Sequence, residues 1–177
     1  METRTVRKPA VVIMVILGIL LTALGCGVLY FNAQAAKVIE LPADVKISRN
    51  IQYEITRAER DTFRPSDSYG LTQTGAGSEY FTVEGWAGVP GEDVRVFNTQ
   101  VLLRNEVSGL YLQIKTAYVE DGEEPETDNG GASFARGNFV AKVKDEKLQA
   151  GIQYRVCLWY QNDGHNELVE TDTFLER

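Results

Sequence analysis

From Ala10 to Phe31 the chain runs 22 residues, AVVIMVILGILLTALGCGVLYF, without one charged side chain. At about 1.5 Å per helical residue that is roughly 33 Å, enough to cross a hydrocarbon core of about 30 Å. In lipid every backbone N–H and C=O must be satisfied within the segment, so a lone span has to be a helix. Arg4, Arg7 and Lys8 precede the stretch, with Glu2 as the one acid among them. The excess of cations predicts a cytoplasmic N-terminus (residues 1–9), a transmembrane signal anchor at 10–31 in contact with the bilayer, and a chain that is outside from Asn32 onward.

Two other fates are open to the same stretch. Ala33-Gln34-Ala35 is an A-x-A pattern placed where a signal peptidase cuts, which would make the protein secreted after cleavage near Ala35. The apolar run is longer than the usual 7–15-residue core of a cleaved signal, which favours the anchor. A lipoprotein signal ending at Cys26 fits less well. Its Ala23-Leu24-Gly25 lead-in lacks the expected Leu, and Gly27 to Phe31 after it are still apolar.

Residues 32–45 read as a tether containing Pro42, and 46–177 as one extracytoplasmic domain long enough for a proper core. Taking Arg4, Arg7, Lys8 and Glu2 from the 18 basic and 25 acidic residues leaves 15 and 24, a balance of −9 outside. Such a surface argues against nucleic acid as a partner. Of the two cysteines, Cys26 lies in the apolar stretch, so Cys157 has no intrachain partner and reads as a small hydrophobe buried on a strand.

Past the tether the period changes to two. Ile51–Ile55, Tyr80–Ala87, Val94–Arg104, Gly109–Lys115, Gly137–Val143, Ile152–Tyr160 and Leu168–Phe174 read as strands. Tyr69–Leu71 reads as a short edge strand, Arg57–Ser68 as a charged loop or at most one helical turn, Thr74–Ser78 as a turn, and Asp145–Gln149 as at most one helical turn. Seven or eight short strands with turn signals between them predict an all-β fold: a single antiparallel β-sandwich, immunoglobulin-like or jelly-roll-like, after one N-terminal transmembrane helix.

Several features then follow one another in order. Gly85-Trp86-Ala87 sits on one strand, Leu102-Leu103 ends the next, and Tyr111-Leu112-Gln113-Ile114-Lys115-Thr116 begins a third. Gly137-Asn138-Phe139-Val140-Ala141-Lys142-Val143 and the stretch from Leu148 through Gly151 and Tyr154 to Val156 complete the series. Over about 75 of the 177 residues this resembles an extracellular module of bacterial cell-envelope membrane proteins associated with surface polysaccharide. The resemblance implies a β-sandwich. An acidic loop replaces the Arg-Asp-Val turn of that group, so no role of that turn carries over.

Candidate chemistry is sparse. His165, the only histidine, sits in Asn162-Asp163-Gly164-His165-Asn166, where Asp-Gly supplies the two positive-φ residues of a type I′ turn. With one histidine no nucleophile–base pair and no zinc cluster is visible, so no catalytic residue is assigned. Glu120 to Asp128 holds six carboxylates in nine residues; Asp121, Glu123, Glu124, Glu126 and Asp128 are the candidate ligands for a weak calcium site. Their spacing departs from the D-x-D-x-D-G loop, which favours a solvated run. Trp86, Tyr111, Trp159 and Tyr160 are candidate sugar-stacking faces; against this, Trp86 follows Gly85 in mid-strand where a sandwich buries a Trp, and Trp159 and Tyr160, being adjacent, face opposite ways on a strand with no polar side, which suits two covered faces. The expected function is a membrane-anchored binding or interaction module of the bacterial cell envelope, with envelope polysaccharide or another envelope protein as partner. The alternative is a non-catalytic structural or accessory subunit of an envelope assembly.

Overall fold

The computed structural model describes residues 13–22, 36–63, 78–120 and 131–177. The chain divides into two units after Ala35. In the first, residues 13–22 are helical, and Ile13 to Leu17 and Ile19 to Leu21 are each more than half exposed. Steps of about 100° put these side chains on every side of the helix. Among the described residues no helix is long and apolar enough to cross a membrane. Residues 10–12 and 23–31 of the expected span lie outside them, as do Cys26, the A-x-A site, Tyr69–Leu71 and most of the acidic run.

Among its described residues the second unit holds ten strands: β1 (Lys37–Ile39), β2 (Lys46–Ile47), β3 (Gln52–Phe63), β4 (Ser78–Gly88), β5 (Thr99–Asn105), β6 (Tyr111–Gln113), β7 (Lys115–Tyr118), β8 (Asn138–Lys144), β9 (Gln153–Tyr160) and β10 (Glu167–Glu176). They form a six-stranded sheet, β1-β6-β5-β9-β10-β2, and a four-stranded sheet, β3-β4-β8-β7. Period-two alternation sends one face of each sheet into a common core. Phe81, Val83 and Ala87 of β4 and Phe139, Ala141 and Val143 of β8 meet Val101, Leu103, Val156, Leu158 and Val169 from the other sheet.

Residues 36–45 of the expected tether are part of this unit. β1 pairs with β6 at one edge of the six-stranded sheet, and β2, seven residues on, pairs with β10 at the other. The segment between them lays Ile39, Leu41 and Val45 against Leu102, Cys157 and Leu168, on the face turned away from the main core. Covering that face removes more apolar surface from water, which is why both sides of β9 are apolar. The β2–β10 pairing is parallel, a correction to the all-antiparallel expectation; the other pairings are antiparallel.

Arg57 to Phe63, expected as loop, continue β3 along β4 to Ser78. A bulge at Thr56 shifts the phase, and the charges that follow alternate on an edge strand, where inward and outward charges discourage further pairing. Arg57 meets Glu59 and Asp61 at 2.5 Å and Glu84 at 3.3 Å. The guanidinium of Arg60 lies 5.1 Å from the centre of the Phe81 ring. The strand expected from Gly109 to Lys115 breaks at Ile114, where the chain leaves the larger sheet for the smaller. The strand expected at Val94 starts only at Thr99, since residues 94–98 form part of the loop cluster described next.

Candidate functional site

Three loops converge at one end of the domain: Val89–Asn98 between β4 and β5, residues 131–137 ahead of β8, and Gln161–Asn166 between β9 and β10. Their floor is apolar. Trp86 and Phe134 pack with ring centres 5.6 Å apart, beside buried Val94 and Ala132. Gly88 leaves the room for this, because a Cβ there would stand 2.6 Å from the Phe134 ring. The indole N–H of Trp86 donates to Glu54 at 3.2 Å.

Hydrogen bonds then lock loop to loop. The Ser133 N–H donates to Asp93 at 2.8 Å and Val94 N–H to the Ser133 carbonyl at 3.1 Å. Arg95 N–H donates to the Asp163 carboxylate at 3.0 Å, and Arg136 donates to the Arg95 carbonyl at 2.9 Å. Buried Asn162 accepts from the Asn98 N–H and donates to Thr99 Oγ1 at 3.0 Å. The Asp-Gly turn is as expected, with φ of 51° at Asp163 and 92° at Gly164.

Between these loops lies an open concavity of about 610 Å³, lined by Gly91, Glu92, Asp93, Arg95, Gly131, Ala132 and Asp163. It is polar: three carboxylates and one guanidinium around a backbone rim. Such a lining accepts hydrogen bonds from hydroxyl or ammonium groups and holds no nucleophile paired with a base. Among the described residues no three His, Cys, Asp or Glu side chains are grouped to hold a metal ion.

The four candidate aromatics do not meet on one surface. Trp86 is buried in the loop floor and Tyr160 in the main core, so neither presents a face for sugar stacking. Tyr111 and Trp159 are half-buried beneath the N-terminal segment, around Leu102, Cys157 and Leu168. The Trp159 indole donates to Asn166 at 2.9 Å. Burial pushes the Cys157 thiol up to about 12, which makes it inert. Asp121, Glu123, Glu124, Glu126 and Asp128 lie outside the described residues.

His165 has more to it than a turn. Its Nε2 stands 3.0 Å from a Glu92 oxygen and its Nδ1 3.2 Å from a Glu167 oxygen. Glu92 is 73 residues away in the chain, so local pattern carried no sign of it; Glu167, two residues on, was the one visible hint. No protein-family model, curated protein or solved structure matches this chain, so the site stands on its own residues.

Proposed function

We propose that this is a membrane-anchored, extracytoplasmic binding module of the cell envelope, held by residues 10–31 and presenting its loop concavity to a polar ligand. The observation that carries the reading is the charge-free stretch Ala10–Phe31, whose helical residues 13–22 leave apolar side chains uncovered on every side, immediately before a folded β unit. A helix apolar all round is suited to lipid.

The strand order supports the immunoglobulin-like alternative over the jelly roll. β3-β4-β8-β7 and β6-β5-β9-β10 follow the A-B-E-D and C′-C-F-G orders of that sandwich, with β1 and β2 added at the edges. In this reading two of the three loops around the concavity, B–C and F–G, are among those that bind ligand in variable domains of that type, and the third is the D–E loop. Its carboxylates and guanidinium suit a hydroxyl-rich polymer such as an envelope polysaccharide.

Val107, 78% exposed at the β5–β6 turn, gives a direct test of placement. A Val107→Cys chain in spheroplasts should label with a membrane-impermeant maleimide, while the parent chain, with Cys157 buried and Cys26 within the proposed span, should not. Labelling only after lysis overturns the reading. For the ligand, soluble envelope polysaccharide should shift the amide resonances of Gly91–Arg95 and Asp163; shifts confined to other surfaces would remove the concavity from the account.

A further inference from the structure

We propose that His165 is a proton-operated latch: as an imidazolium it ties Glu92 on the β4–β5 loop to Glu167 on β10, and on losing a proton it releases Glu92. The geometry carries this. Both ring nitrogens face carboxylate oxygens, at 3.0 and 3.2 Å, and an imidazole can donate from both only when doubly protonated. The neutral ring must turn a lone pair towards one of the two carboxylates. The ring has little freedom to avoid this. It stands edge-on to Tyr160 at 5.6 Å, and its backbone N–H is fixed to the Asn162 carbonyl at 3.0 Å.

The surrounding charges decide which contact opens. From β2 and the residues after it, Lys46 and Ser48 face Glu167, and the Ser48 hydrogen bond is the main reason its carboxyl lies below the ordinary range. From β9 comes the Tyr160 phenol, raised chiefly by burial, and from the turn comes Asp163. Glu92 is the more exposed acid, at 56% against 27% for Glu167. Glu167 therefore keeps its other partners and Glu92 leaves. The hydrogen bond to Glu92, opposed by partial burial and aided by Glu167, holds the imidazole above its ordinary value of 6.5. A raised value in the folded chain means the latch is closed below a midpoint that lies above 6.5 and opens as pH rises through that midpoint. Glu92 lines the concavity, so opening reshapes its rim. The latch stands whatever the concavity binds and wherever the chain is placed.

One histidine gives one titrating ring signal, which makes the test direct. In the full-length chain in detergent, the His165 Cε1–H resonance should titrate above 6.5, and Glu92→Gln should lower that midpoint. Hydrogen exchange at the Glu92 amide, which donates to Val89 at 3.0 Å, should speed up about tenfold beyond the intrinsic pH effect once the midpoint is passed. In Glu92→Gln that exchange should be fast and free of the step. Core amides of β5 and β9, unchanged throughout, report that the fold is intact. A midpoint at or below 6.5, or Glu92 exchange with no step across it, overturns the proposal.

Discussion

Gly85 on β4 lies beneath the Glu54 carbonyl of β3, so close that a Cβ at residue 85 would overlap that oxygen. The bulge at Thr56 brings the two backbones together, and Gly85 is the residue that permits it. Gly85→Ala forces backbone to move and should cost about 2–3 kcal/mol, measured as a lower urea midpoint for the full chain in detergent. An unchanged midpoint would mean the bulge is not held as described.

Asn162 ties two loops together from a fully buried position. Asn162→Ala leaves the Asn98 N–H and the Thr99 hydroxyl without this partner, and should cost about 1–3 kcal/mol. The amide resonances of Asn98 and Arg95 should move most.

Phe134 fills the floor of the concavity with no exposure to solvent. Phe134→Ala should cost about 3–5 kcal/mol and relieve the crowding over Gly88. Trp86 fluorescence should shift to longer wavelength as water reaches its indole.

Cys157 supplies an alkaline signature. Its thiol is raised from 9.0 to about 12, mainly by burial, with Glu170 adding to the effect. Above pH 9 the unfolded chain loses this proton and the folded chain keeps it, so stability falls as pH rises from 9 towards 12. Cys157→Ala should flatten that part of the stability–pH curve. In the native parent chain, thiol reagents at pH 8 should modify Cys157 only as fast as the segment around Leu41 and Val45 opens.

Much of the sheet core is legible because burial leaves period two in the sequence: Tyr80–Ala87, Gly137–Val143 and Ile152–Tyr160 fall on β4, β8 and β9 with nearly the same bounds. What was missed has physical reasons. Arg57–Phe63 is an edge strand, whose charges mimic a loop, and its bulge breaks the alternation. The break at Ile114 changes the strand's partner and not its pattern, so alternation runs through it unmarked. The site is least legible, because Asp93 and Arg95, Ser133, and Asp163 belong to three loops that meet only after the sheets close. Of the candidate stacking aromatics, Trp86 and Tyr160 are core, as the mid-strand position of Trp86 after Gly85 suggests.

The central claim is placement, and the mature chain tests it most directly. Membranes washed at alkaline pH should retain a chain of 19.7 kDa that begins at Met1, and protease added to intact spheroplasts should digest residues 36–177. A mature chain that begins at Ala36 and leaves with the wash, or a domain protected until the cells are lysed, would contradict it.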